Sequence, residues 1–455
     1  MTKLKLYQHQ IEGVEKFINN KFFLNEDDMG LGKTCQAIVA LERLFCAGKI
    51  KSALVISPAT IKYVWETEII KFTGLTYTII EGTKSERIKQ WESTSQIKVV
   101  NYELILRDEE YFYKGFDVVI LDEAHRLKNY KSKIGEKIKF IPRVYRWAMT
   151  GTPIVNQPTD IHSIFEFLHP FYLGHHIEFR EKYMITERAY YYKWQDKKRI
   201  RMPYTKVIGY KNLDQLNTLL KAVSIRRLKT EALPDLPEKI ITEVMLKMTE
   251  KQQAIYDRYD LIFKEKMKRN EMILGELSKL RFICDGILVN KKTDENIEIP
   301  SIKLIRLSEI LDDSGVSQVV IFTNWIKTIN VIKKFLDAKK MSYLEITGQV
   351  DKKTRALNEQ KFKEGQVKIM LCTSAAEEGI NLWSANILIN FDVPWTKSAL
   401  KQRSDRVHRM GQTKKTLIYN FYCKDTIEER IKKILDRKDK LAVDILDKTD
   451  KGLLI

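Results

Sequence analysis

Lys33 and Thr34 close the stretch Asp27-Asp28-Met29-Gly30-Leu31-Gly32, and two adjacent acids, Asp122 and Glu123, close an apolar run much further along the chain. These are the residue types that polyphosphate chemistry needs. Glycines let backbone N–H groups approach phosphate oxygens, and a following helix N-terminus adds partial positive charge. A lysine at this spacing reaches the β- and γ-phosphates, and a threonine after it can place its hydroxyl on Mg²⁺. A carboxylate at the end of a strand can hold Mg²⁺ and a second can polarise water. The general pattern G-x-x-x-x-G-K-[ST] begins with Gly, where this chain has Asp27. Taken singly, the first stretch also reads as a glycine turn before an ordinary helix, and the second as a solvated Asp-Glu loop. Both stretches in one chain disfavour those plain readings.

The elements that must hold these residues follow from the hydrophobic pattern. Phe22-Phe23-Leu24 is a short apolar strand, and Ala37, Ile38, Ala40, Leu41 and Leu44 recur at helical spacing after the glycines. Asp117 to Leu121 is a buried-strand run, so the acids stand at its carboxyl end, where ligands gather in parallel sheets. Ala53 to Pro58 and Lys98 to Glu103 are further strands, with Thr60 and Trp65 near the helix start that follows the first. From Gln318 to Tyr422 strands and helices alternate again, as βαβ units do. The chain is therefore expected to be α/β. Residues 171 to 235 lack this alternation and 240 to 285 read as helical. Within the former, Tyr190-Tyr191-Tyr192-Lys193-Trp194 precedes Lys197-Lys198-Arg199 and Arg201. Aromatics interleaved with cations can stack bases or bind a phosphate backbone. They can equally pack on a helical protrusion whose Lys stems cover apolar surface. Near the end, Arg406 and Arg409 sit three apart in an expected helix, able to face one target and to clamp a charged phosphoryl group. The plain alternative is a salt bridge to Asp405.

The 455 residues allow about three domain-sized units, and 44% hydrophobic with 31% charged residues is ordinary for a globular protein. A net charge of +19 favours a polyanionic partner over a neutral one. Cys35, Cys46, Cys284, Cys372 and Cys423 show no CxxC spacing, which argues against a zinc site or disulfide framework. No apolar run reaches membrane-spanning length and no signal-peptide core opens the chain, so a cytoplasmic, membrane-free monomer is expected.

Asp-Asp-Met-Gly-Leu-Gly-Lys-Thr, Asp122-Glu123-Ala124-His125-Arg126-Leu127-Lys128-Asn129, Thr150-Gly151-Thr152-Pro153, Thr323-Asn324-Trp325, Thr373 to Leu382 and Gln402 to Gln412 together resemble the Swi/Snf family of DNA-dependent ATPases. The resemblance runs in the family's order from Leu6 to about Leu446, with Ser404 where the family commonly has Ala. It implies two tandem RecA-like domains, parallel sheets flanked by helices, with helical protrusions. Residues 1–170 would form lobe 1, 171–235 its protrusion, 236–300 a linker and second protrusion, and 301–455 lobe 2 with a C-terminal brace helix. It implies ATP and Mg²⁺ as cofactors and double-stranded DNA as partner, in a bare motor of bacterial or phage type, with a protein partner left open. By position, Gln8 would read the adenine, and Met29, Gly30, Leu31, Gly32, Lys33, Thr34 and Gly379 would bind ATP. Thr34 and Asp122 would hold Mg²⁺, Glu123 would activate water, and Lys33, Arg406 and Arg409 would complete the catalytic set. His125, Thr150, Thr152 and Gln402 would couple nucleotide to motion. Thr60, Tyr102, Asn324, Trp325, Thr373 and Ser374 would touch DNA. A strand-separating or RNA-directed helicase, and a non-catalytic DNA scaffold, are the competing readings.

Overall fold

The computed structural model describes residues 6–128, 132–154, 157–195, 198–269, 274–289, 296–377 and 379–446. The expectations placed on Asn129, Lys197 and Glu378 lie outside them. Two compact units emerge, one of residues 1–234 with 438–455 and one of residues 235–437.

The first unit is built on β1 (Phe22–Asn25), β2 (Ala53–Ser57), β3 (Tyr77–Ile79), β4 (Ile97–Asn101), β5 (Phe116–Asp122) and β6 (Arg143–Met149). A long pair, β7 (Met184–Gln195) and β8 (Lys198–Tyr210), follows, and then the short β9 (Ser224–Ile225). All but β7 and β8 form one parallel sheet in the order β3-β4-β2-β5-β6-β1-β9. Its central strands are continuous apolar runs because helices cover both faces. Side chains of a strand alternate between faces, and the core divides accordingly. Leu54, Ile56, Val100, Val119 and Leu121 pack on one side, and Ala53, Val55, Val99, Val118 and Ile120 on the other.

The second unit repeats the plan. Its strands are β10 (Lys239–Leu246), the small antiparallel pair β11 (Ile287–Val289) and β12 (Asn296–Glu298), β13 (Val319–Phe322), β14 (Tyr343–Ile346), β15 (Ile369–Cys372), β16 (Ile387–Asn390) and β17 (Thr416–Cys423). The parallel sheet runs β10-β17-β16-β13-β15-β14. A terminal helix, Ile427–Leu446, buries Ile427, Ile431 and Leu435 at four-residue steps.

Two expectations are corrected. Ile240 to Leu246 was expected to be helical and is instead the edge strand β10, because Ile240, Ile241, Thr242 and Val244 are β-branched and find β17 as a ladder partner. Residues 184–195 and 198–210, expected within a helical protrusion, form the antiparallel hairpin β7–β8, separate from both parallel sheets.

The second unit also buries a charged cluster. Lys303 Nζ lies 2.8 Å from Asp285 Oδ1 and 2.7 Å from Glu428 Oε1, and the Thr328 hydroxyl donates to Asp285 at 2.9 Å. Burial alone would lower the ammonium's pKa, but Asp285 and Glu428 hold Lys303 protonated well above the usual lysine range. With one cation between two acids, burial pushes Asp285 up to about 7 against the pull of Lys303. Cys284 and Cys423 meet Glu428 here, a proximity their sequence spacing hides, and the cation held at this place is Lys303.

Candidate nucleotide-binding site

The parallel registers bring three strand ends into one row. Asn25 of β1 pairs with Met149 of β6, which pairs with Asp122 of β5. Adjacent strands lie about 4.7–4.9 Å apart, so the loops that leave these ends start within about 10 Å of one another. The loop after β1 carries Lys33, the loop after β5 carries Glu123, and the loop after β6 carries Thr150.

The first loop is built to expose its backbone. Gly30 and Gly32 have φ of 88° and 79°, a region that favours glycine. A Cβ at Gly32 would also meet Gln10 Nε2 at 2.4 Å. The helix Lys33–Cys46 starts at Gly32, so its first N–H groups face the loop. Lys33 Nζ donates to the carbonyls of Asp27 at 2.7 Å and Asp28 at 3.4 Å. These are neutral partners that a phosphate would outcompete. Thr34 is half-buried on the first turn. Met29 is buried, and a Cβ at Gly151 would meet it at 3.0 Å, so Thr150-Gly151-Thr152 packs against this loop.

Asp27 explains why the first position is not glycine. Its side chain is fully buried. It accepts from Arg227 Nε at 2.9 Å and Nη2 at 2.5 Å, and from Gln36 Nε2 at 3.1 Å. Gln36 in turn accepts from Asn25 Nδ2 at 2.8 Å. Arg227 also donates to the His9 carbonyl, and the Asp28 N–H donates to the Arg227 carbonyl at 3.0 Å. The loop is thus fastened from behind by a bidentate ion pair.

The acidic pair is equally supported. Trp65 Nε1 donates to Asp122 Oδ2 at 2.8 Å, and Tyr102 Oη donates to the Asp122 carbonyl at 2.8 Å. Burial and then the neighbouring Glu123 push the Asp122 carboxyl up to about 7, against the Trp65 hydrogen bond and the Lys33 charge. Adjacent carboxyls that resist ionising together form a donor set that a divalent cation would relieve, and the Thr34 hydroxyl completes it chemically. Glu123 itself has φ 50°, ψ 50°, a left-handed conformation that costs a non-glycine residue about 1–3 kcal/mol and that clusters at active sites. His125 Nδ1 stands 3.2 Å from Glu123 Oε2 and 3.2 Å from Thr150 Oγ1, and the Thr152 N–H donates to Thr150 Oγ1 at 3.2 Å. Glu123, His125, Thr150 and Thr152 are therefore one connected group.

In the second unit, fully buried Arg403 organises the strand ends. It donates to Glu377 at 2.7 Å, Asn324 Oδ1 at 2.7 Å and the Asp392 carbonyl at 3.1 Å. Gln402 is buried beside it. Arg406 donates to the Ile380 carbonyl at 3.1 Å, and Gly379 is half-buried with φ 76°. Arg409 is half-buried too. The expectation that Arg406 and Arg409 share a helix face is corrected. The helix Lys397–Val407 ends before Arg409, with His408 outside helical geometry at φ −93°, ψ 87°.

Other placements differ from expectation. Gln8 faces outward and donates to Glu12 at 3.2 Å. Two residues further, about 200° around the helix, Gln10 is buried and donates to the Leu31 carbonyl at 3.4 Å. Gln10, not Gln8, is the glutamine at the loop. Of the expected DNA contacts, Thr60 and Ser374 are exposed. Tyr102 is 3% exposed and braces Asp122, and Thr373 is 5% exposed. The Asn324 amide is committed to Asp392, Val393 and Arg403. Trp325 is half-buried against Phe282, with ring centroids 5.1 Å apart. Tyr102, Thr373 and Asn324 thus support strand ends from inside. Trp65, Arg227 and Arg403 went unassigned in the sequence because nothing local distinguishes them; their partners lie 57, 200 and 79 residues away.

Comparison with known proteins adds a second line. The profile of the SNF2-related domain matches residues 9–295, and that of the helicase conserved C-terminal domain matches 302–411. An uncharacterized ATP-dependent helicase of Mycoplasma genitalium is 30% identical over 97% of this chain and 42% of its own length. One of Bacillus subtilis is 26% identical over 97% of this chain and 80% of its own. The chain spans about two fifths of the Mycoplasma relatives. Among solved structures, the Sulfolobus solfataricus SWI2/SNF2 ATPase core in complex with dsDNA is 29% identical, covering 99% of this chain and 94% of that one at a TM-score of 0.48. Among the described residues, no helix is long and apolar enough to cross a membrane.

Proposed function

This chain belongs to the SNF2-related family, and from that premise we propose that it is a motor that hydrolyses ATP and moves along double-stranded DNA. The observation that carries the reading is the single row of strand ends that sets the lysine loop, the acidic pair and the Thr150 loop side by side. The +19 net charge supports a polyanionic track.

In this scheme Lys33 leaves the Asp27 and Asp28 carbonyls for the β- and γ-phosphates, while the loop N–H groups hold their oxygens. Gln10 closes the loop from the side of the Gln8–Asn19 helix. Thr34 and Asp122 would hold Mg²⁺, which when bound offsets charge on the phosphate oxygens. Glu123 orients the attacking water and accepts its proton. Its link through His125 to Thr150 gives the acid a mechanical connection to the next strand end. Arg406 and Arg409 supply cations for the charge that gathers on the transferring phosphoryl group. Lys33, Thr34, Asp122 and Glu123 lie in the first unit and Arg406 and Arg409 in the second.

The test is ATPase activity of the full chain with blunt duplex DNA, single-stranded DNA and RNA as separate stimulants, across a salt series. Duplex DNA is expected to stimulate most, with stimulation falling as salt rises, and Lys33→Ala is expected to abolish turnover. Stimulation by RNA alone, or turnover retained by Lys33→Ala, would remove the reading.

A further inference from the structure

The β7–β8 hairpin has no part in the site above. It is a two-stranded ribbon that, among the described residues, pairs with no other strand. Among its described side chains, Met184 at the base is 3% exposed, whereas Tyr190, Tyr204 and Ile208 are 40%, 45% and 54% exposed. A two-stranded hairpin is marginally stable alone in water, and burying its side chains would hold it better than displaying them. Display of this kind marks an interaction surface.

The register shows how its charges are sorted. Residues directly opposite in an antiparallel pair share a face. Arg188 pairs with Thr205, Tyr190 with Pro203, and Tyr192 with Arg201, so these positions have one parity. Glu187 has the other parity and is neutralised by Lys206 across the strands at 3.3 Å. The segment 184–210 carries seven basic residues against two acids, Glu187 and Asp196. None of the positions paired on the Tyr190 side is acidic. On that side the Arg201 guanidinium lies 3.5 Å from the centroid of the Tyr190 ring, with Arg188 at 5.8 Å.

We propose that this face of the β7–β8 hairpin binds unpaired nucleotides, the Tyr190–Arg201 stack continuing into an exposed base while Arg188 holds a phosphate. Bases present π-faces only when unpaired, and aromatic and guanidinium planes recognise such faces without regard to sequence. Arginines that read a duplex major groove reach out bidentately to guanine edges, whereas Arg201 and Arg188 are turned toward the Tyr190 ring. The same arrangement suits an acidic protein surface less well, since carboxylates pair with the guanidiniums and leave the Tyr190 ring face unused. The proposal stands apart from ATP turnover and is tested without nucleotide, so its failure and that of the duplex-motor reading are separable.

The experiment measures fluorescence anisotropy of a short labelled single-stranded DNA and of the matching blunt duplex on the full chain. Sodium polyphosphate serves as a base-free competitor. Tyr190→Leu keeps an apolar side chain of strand-compatible shape, and Tyr190→Phe keeps the ring. Tyr190→Leu is expected to weaken single-strand binding about five- to 150-fold, the range for loss of one base–aromatic stack. Duplex binding and polyphosphate competition should stay as in the wild type, and Tyr190→Phe should bind single strands as the wild type does. Unchanged single-strand affinity in Tyr190→Leu, or an equal loss for duplex and polyphosphate, would overturn the proposal.

Discussion

Replacing Asp27 by glycine would restore the general phosphate-loop pattern at its first position, and the structure says that this change should damage the protein. Asp27 does not need glycine's freedom, since it is absent from the residues with positive φ. It takes two N–H groups from Arg227 and one from Gln36 while fully buried. Removing one partner of a buried pair leaves the other charge uncompensated, at a cost of about 3–5 kcal/mol. Arg227 keeps Glu12 at 3.3 Å, half exposed, and the His9 carbonyl, which argues for the lower end, ~3 kcal/mol. Glycine's extra backbone entropy adds about 0.5–1 kcal/mol. For a unit of this size each kcal/mol moves the Tm by about 2–4 °C, so a fall of roughly 7–16 °C is expected. Thermal unfolding of the full chain, with hydrogen exchange read on residues 22–46, checks it. Adding Arg227→Met should recover part of the loss, because the orphaned charge goes with it. An Asp27→Gly protein that melts with the wild type and keeps 22–46 protected would refute the anchoring argument.

Three further outcomes follow from the same geometry. Glu123→Gln should bind ATP normally and turn it over about 10²–10⁴ times more slowly, since an amide accepts no proton; loss of ATP binding in a filter assay would assign Glu123 a structural role instead. Arg409→Ala should lower DNA-stimulated turnover about a thousandfold with nucleotide-free DNA affinity unchanged, and Arg409→Lys should not restore it, because an ammonium lacks the planar fork. DNA affinity lost with basal turnover intact would make Arg409 a backbone contact. Asp285, held up to about 7 in the fold against about 3.9 unfolded, binds its proton more tightly when folded, so its contribution is full below about pH 4 and is lost as pH rises to about 7. The Tm of Asp285→Asn relative to wild type should therefore rise across that window, and a constant difference in melts at several pH values would show that Asp285 does not titrate there.

What was legible in the sequence is what is local. Lys33, Thr34 and Asp122 are read from neighbours within a few positions, and the βαβ alternation of the second unit from period-two and 3.6-residue patterns. Gln8 was named by its upstream position alone, where helix phase decides: Gln10, not Gln8, turns toward Leu31. Tyr102 and Asn324 have the polarity of surface contacts, and only the packed fold shows their donors already committed to Asp122 and Asp392. The same-face argument for Arg406 and Arg409 failed because His408 leaves the helix. The hairpin 184–210 was hidden because a run of tyrosines and lysines carries no strong period. Arg227 illustrates the deepest limit, since no window of sequence joins it to Asp27.

That last distance has a consequence for synthesis. The phosphate loop leaves the ribosome before its fastening residue and the β9 strand that pairs with β1, both of which come 200 residues later. At about 5–20 residues per second, a nascent chain waits roughly 10–40 s with Asp27 lacking its guanidinium. Over that interval the loop can possess its full signature and still have no rigid shape, so competence to hold a nucleotide arrives with the end of the first unit and not with the motif itself.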